Sequence, residues 1–255
     1  QEFIVLDIEN KKVLVSGSSN GLGLKIVEKF SENGSIGFGF DIQESSLDIK
    51  KWNFLKVNVS KEEEIIRGFE EIRKKIGNLD VVVANAGIVP QWRTINSIDN
   101  DEWDNVFNVN VKGIALTIKH AFELMKSSGG SIIVMGSVNS LLGHSGQSLY
   151  TATKHALLGI VKCASVDLGK YKIRVNAIGP GPIATDACLN RLKSREENGG
   201  MSFKAALDRF ANNTALGKMA TEDDVANTAL YLGSSLSSSI TGHIIPVSNG
   251  LIRIE

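Results

Sequence analysis

The sequence predicts an α/β fold, with one doubly wound domain over residues 4–255 whose seven-stranded parallel sheet carries helices on both faces. Three observations lead there. Short Val- and Ile-rich runs recur along the chain, longer stretches of helical period separate them, and polar or glycine residues collect where the runs end. Strands apolar on both faces and joined by helical crossovers belong to a parallel sheet covered on both sides.

The first strand is KVLVS from Lys12, followed by the glycine turn SGSSNGLG. A helix begins near Leu22, places Ile26, Val27 and Phe30 on one face and stops at Gly34. IGFGF from Ile36 is the second strand and the weakest, because two glycines loosen a strand interior. The third is FLKV from Phe54, and the short segment before it has room only for a stubby helix around residues 47–52. Ile65, Ile66, Phe69 and Ile72 mark a helix that ends at Gly77, and LDVVVA from Leu79 is the fourth strand. Residues 103–125 read as a helix with Val106, Phe107, Val109, Val111, Ile114, Leu116, Ile118, Phe122 and Leu124, too many apolar positions for one core-facing stripe. SIIVMG from Ser131, IRVNAI from Ile173 and HIIPV from His243 are the last three strands, with a helix over 150–168 between the first two of them. Residues 184–213 fit the alternation poorly, being polar and glycine-interrupted. They read either as a lid hanging over a ligand crevice or as an ordinary surface hairpin of helices.

Composition narrows the partners. The 28 basic residues balance 28 acidic ones, so no overall field draws nucleic acid or an anionic membrane, and a small-molecule substrate is expected. Cys163, Cys188 and four scattered histidines show no metal-ligand spacing, so no metal is expected. No apolar run approaches the roughly 20 residues that cross a bilayer, and no signal segment precedes the first strand, which points to a cytoplasmic protein without a membrane partner. The chain opens on Gln1 rather than methionine, and its first three residues are left out of the domain.

Chemistry collects at the ends of the strands. Gly17, Gly21 and Gly23 lie between a strand and a helix amino terminus, an arrangement whose backbone N–H groups and dipole favour a phosphate, although a structural turn would have the same glycines. Asp41 ends the second strand, where a carboxylate accepts from a ribose 2′-hydroxyl or stands exposed in a loop. Asn58, Asn85 with Gly87, Ser137, and Pro180 with Gly181 end other strands, at the edge where open α/β sheets bind ligands. In SLYTATKHALLG, Tyr150 and Lys154 lie about one helical turn apart and share a face, as a catalytic pair or as two solvated side chains.

SGSSNGLG, ANAG at 84–87, NVNVKG around Asn110, Ser137, YTATK and NAIGPGPIAT from Asn176 resemble, in order and spacing, the short-chain dehydrogenase/reductase family, single-domain branch, over residues 12–250. The resemblance implies a Rossmann-type catalytic domain and makes Tyr150 the acid/base, Lys154 its electrostatic partner and ribose ligand, Ser137 the donor to the substrate oxygen and Asn110 the holder of a relay water. An adjacent ammonium moves a tyrosine of pKa about 10 toward neutral working pH. The implied cofactor set is Gly17, Ser19, Asn20, Gly21, Leu22, Gly23, Asp41, Ile42, Asn58, Val59, Asn85, Ala86, Gly87, Tyr150, Lys154, Pro180, Gly181, Ile183 and Thr185. Two departures stand out: Asn58 replaces an aspartate common in the family, and VSNG at 247–250 replaces the usual aspartate–glycine ending.

The expected function is hydride transfer between NAD and a secondary alcohol or ketone, such as a sugar, polyol or other hydroxylated compound. NAD is expected over NADP because neither SSN in the glycine turn nor IQESS after Asp41 supplies a cation for a 2′-phosphate. A nucleotide-sensing regulator without turnover is the alternative, and such relatives typically lose the tyrosine or lysine kept here. Expected substrate contacts are Ser137, Asn139, His144, Gln147, Tyr150 and Trp92, with Gln91, Leu142, Pro182, Met201 and Phe203 nearby. The apolar excess in 103–125 and the helix after Tyr150 imply a homodimer or homotetramer, or else a deeply buried helix.

Overall fold

The computed structural model describes residues 6–44, 48–197 and 199–251. Its seven strands are β1 (Lys12–Ser16), β2 (Ile36–Asp41), β3 (Trp52–Lys56), β4 (Val81–Ala84), β5 (Gly130–Met135), β6 (Ile173–Pro180) and β7 (Ile244–Val247). They form one sheet in the order β3-β2-β1-β4-β5-β6-β7, and every neighbouring pair is parallel. The helices are α1 (Gly21–Glu32), α2 (Glu62–Ile76), α3 (Asn100–Phe107), α4 (Ile114–Met125), α5 (Ser148–Gly169), α6 (Asp186–Glu197), α7 (Phe203–Asn212) and α8 (Glu222–Gly233). This is the expected Rossmann-type architecture.

Alternation along each strand splits the core in two. Leu14 packs on one face with Ile65, Phe69 and Ile72 of α2 and Leu157 and Val161 of α5. Val13 and Val15 face the other way, onto Ile26, Val27 and Phe30 of α1 and Val225, Ala229 and Leu230 of α8. The chain builds outward from β1 to β3, then crosses back to place β4 on the other side of β1. The loops after β1 and β4 therefore diverge, and a crevice opens at the carboxyl edge between them.

Three local expectations change. The glycines of β2 are demanded by packing: a Cβ on Gly37 would lie 2.3 Å from the Val13 carbonyl oxygen, and one on Gly39 would lie 2.4 Å from Ser18 Oγ. The stubby helix is absent from residues 48–52, where a turn with Lys51 at φ 67° feeds Trp52 directly into β3; Leu47 lies outside the described residues. The helix over 103–125 is divided by a π-helical turn at Asn108–Gly113 between α3 and α4. Its apolar excess goes largely to the core, with Val106, Ile114, Ile118 and Leu124 buried and Val109, Leu116 and Phe122 packed beside them.

Candidate active site

The crevice holds a cleft of about 2230 Å³. One wall of it starts at the glycine turn. Gly17 takes φ 67°, and a Cβ there would lie 2.9 Å from Ala86 Cα; one on Gly23 would lie 1.8 Å from the Gly17 carbonyl oxygen. Only glycine permits this approach. Asn85 locks the turn to β4, with Nδ2 donating to the Ser16 and Gly17 carbonyls at 3.0 and 3.1 Å. Ser16 Oγ accepts from the N–H groups of Asn85 and Ala86, both at 3.1 Å.

The turn fits a dinucleotide. Asn20 at the N-cap of α1 gives no side-chain cap, which leaves the first-turn N–H groups for an anion. A Cβ on Gly21 would meet only Glu222 Oε1, at 4.0 Å, so the backbone there faces open space. Among the described residues Ser19 Oγ is buried without a hydrogen-bond partner. The Ser19 N–H donates to Asp41 Oδ2 at 3.0 Å and the Gln43 N–H to Oδ1 at 3.1 Å, which fixes the carboxylate at the end of β2.

Asn58 closes the far end. Its Oδ1 accepts from the N–H and hydroxyl of Ser60 at 3.0 and 2.8 Å, and its backbone N–H donates to Glu64 Oε2 at 2.8 Å. That last bond is the main cause holding the Glu64 carboxyl below its usual range. With Oδ1 spent, Nδ2 is what the side chain has left to offer a ligand, a donor where an aspartate would offer an acceptor.

The other part of the cleft is built on β5 and α5. Ser137 caps the 3₁₀ turn Val138–Ser140, and its Oγ accepts from the Asn139 N–H at 3.1 Å. Lys154 is 6% exposed and donates from Nζ to the Met135 carbonyl at 2.7 Å. Nζ lies 5.5 Å from the centre of the Tyr150 ring, as the one-turn spacing requires. Burial lowers the Lys154 pKa from 10.5 to about 8.

Asn110 sits in the π turn, 1% exposed, with Oδ1 accepting from the Ile88 N–H at 2.8 Å and Nδ2 donating to the Ile88 carbonyl at 2.9 Å. It pins the loop that follows β4. Ser19 and Asn110 thus stand behind the wall, whereas the other expected cofactor, catalytic and substrate residues line the cleft. Leu142, Pro182 and Met201 also line it; Gln91 instead borders a small neighbouring pocket, and Phe203 lines neither. Sequence reasoning missed Glu222, Asn190, Arg209 and Asn213, which also line the cleft. Only the Thr221–Asp224 capping box at the start of α8 was a local signal, and it marks a helix start rather than a site.

Among the described residues no helix is long and apolar enough to cross a membrane, and no cluster of three or more His, Cys, Asp or Glu could hold a metal ion.

A Rossmann-type sheet with a glycine turn after β1 and an acid at the end of β2 defines a protein of the dinucleotide-binding class. Residues 17–252 match the family described as Enoyl-(Acyl carrier protein) reductase. Short-chain dehydrogenase reductase 3a of Arabidopsis thaliana is 33% identical over 256 residues, covering 96% of each chain. The ligand-free aldohexose dehydrogenase of Thermoplasma acidophilum superposes with a TM-score of 0.90 at 27% identity, covering 97% of this chain and 96% of that one. A tyrosine-to-phenylalanine variant of ElxO with NADPH bound gives a TM-score of 0.87 at 27% identity, covering 95% and 99%. The chain belongs to the short-chain dehydrogenase/reductase family, a family of oxidoreductases.

Proposed function

We propose that the protein transfers hydride between NAD(H) and a secondary alcohol or ketone bearing further hydroxyl groups, such as a sugar or polyol. The observation that carries this reading is the buried Lys154 ammonium beneath Tyr150, on the cleft wall that Ser137 shares. The nicotinamide supplies or accepts the hydride when bound.

The Ser137 hydroxyl, which donates to Asn139 Oδ1 at 3.4 Å, turns to donate to the substrate oxygen and holds it beside Tyr150. The Tyr150 hydroxyl gives its proton to that oxygen in reduction and takes it back in oxidation. Lys154, aimed by the Met135 carbonyl, stabilises the phenolate through its charge, which a low-dielectric site leaves weakly screened. Asn110 acts by anchoring the loop at Ile88, and any relay water it holds would lie beyond its committed side chain. Asp41 receives the ribose hydroxyls and repels a 2′-phosphate, which supports NAD over NADP. The helices α6 and α7 act as a lid that excludes water from the reacting end.

The test is a panel of secondary alcohols and ketones followed by absorbance at the reduced nicotinamide, with wild type and Tyr150→Phe. The variant keeps the ring and loses the proton donor, so turnover falls about 10²–10⁴-fold with coenzyme binding retained. Full activity in Tyr150→Phe removes that residue from the mechanism.

A further inference from the structure

Asn139 lies two residues past Ser137 and is 6% exposed. Its side chain is spent inside the protein: Nδ2 donates to Gln147 Oε1 at 2.9 Å and to Thr151 Oγ1 at 3.0 Å, and Oδ1 accepts the Ser137 hydroxyl at 3.4 Å. Two hydrogens on Nδ2 meet two acceptors, so that nitrogen is saturated.

This network fixes Gln147. With Oε1 held by Asn139, the planar amide turns Nε2 the opposite way. The backbone is also held, since the Gln147 N–H donates to the His144 carbonyl at 3.2 Å and the Gln147 carbonyl accepts from the Thr151 N–H at 2.8 Å. A parallel bridge to Arg93 ties it from the other side. The donor half of the side chain is left over: among the described residues Nε2 has no partner, and Gln147 lines the cleft that Ser137 and Tyr150 line. Gln147 is the N-cap of α5, three residues before Tyr150, and both line the cleft.

A positioned donor on a cleft lining rewards a ligand that brings an acceptor and rejects one that leaves it bare. We infer that Gln147 Nε2 is the specificity-determining donor for a second substrate oxygen, carried on a carbon next to the reacting one. Ser137 and Gln147 are both hydrogen-bonded to the single side chain of Asn139, which keeps them on one stretch of the cleft lining, and the inferred substrate carries the two oxygens they meet on neighbouring carbons. The preferred substrates are then vicinal diols in oxidation, and α-hydroxy ketones or α-diketones in reduction. This inference rests on the dehydrogenase reading above.

The test compares butanone with 2,3-butanedione, reduced by wild type, Gln147→Glu and Gln147→Leu. The second oxygen of the dione can only accept. Gln147→Glu keeps the shape of the side chain and the acceptor for Asn139 while removing both donors, so a merely structural role is preserved. Dividing kcat/KM for the dione by that for butanone cancels effects common to both ketones, and comparison with wild type cancels the dione's intrinsic reactivity. This ratio falls at least about fivefold in both variants, with NADH affinity and melting temperature of Gln147→Glu close to wild type. An unchanged ratio in Gln147→Glu overturns the inference and leaves the dehydrogenase reading standing. Failure of wild type to reduce any ketone with either coenzyme overturns that reading, and the inference with it.

Discussion

Lys154 carries a charge that the folded protein holds at a cost, and the cost has a pH signature. Burial takes its pKa from 10.5 to about 8. At about 1.4 kcal/mol per pH unit, the ammonium costs the folded state about 3 kcal/mol near neutrality. Below pH 8 the lysine is protonated both folded and unfolded, and the penalty is full. Between 8 and 10.5 the unfolded chain keeps a proton that the folded one has released, so stability rises with pH. Above 10.5 both states are neutral and the penalty is gone. Lys154→Met retains the apolar stem without a titratable group. It also deprives the Met135 carbonyl of its donor, a loss that shifts the variant's stability by the same amount at every pH. The difference in unfolding free energy, variant minus wild type, therefore drops by about 2.5 kcal/mol from pH 7 to pH 10, whatever its starting value. Urea unfolding of the coenzyme-free proteins across that range, followed by the fluorescence of Trp52, Trp92 and Trp103, measures it. A difference that stays constant with pH would show that Lys154 is not held in a desolvated site, and the electrostatic role given to it would lose its basis.

Two further outcomes are expected. Wild type uses NAD with the higher kcat/KM, and Asp41→Ala narrows the gap to NADP chiefly by an about ten- to hundredfold loss with NAD, the worth of hydrogen bonds to a charged carboxylate. Steady-state kinetics with both coenzymes decide it, and a wild-type preference for NADP refutes the role of Asp41 while leaving Tyr150 untouched. Limited proteolysis cuts α6 and α7 readily in the free protein and more slowly when coenzyme and substrate are both present; equal rates reduce the pair to a surface insert.

The sequence alone carried the sheet and the chemistry whose geometry is local. Val- and Ile-rich runs state their own burial, and the glycine turn and the Tyr150–Lys154 pair are short-range patterns that survive any arrangement of the rest. Other features depended on which strands became neighbours. The glycines of β2 looked like weak points until β1 and β3 closed on either side of them, where a side chain has no room. Asn110 fell inside a stretch read as one helix, and the fold made it the clamp on Ile88 through a π turn that no spacing announced. Glu222 reaches the glycine turn because α8 packs beside α1, a contact across some two hundred residues. The depressed pKa of Lys154 and the donor left over on Gln147 come from burial and from hydrogen bonds already taken by Met135 and Asn139. Propensity and periodicity are written residue by residue, whereas burial, saturation of hydrogen bonds and close approach are properties of a neighbourhood that exists only once the chain has folded.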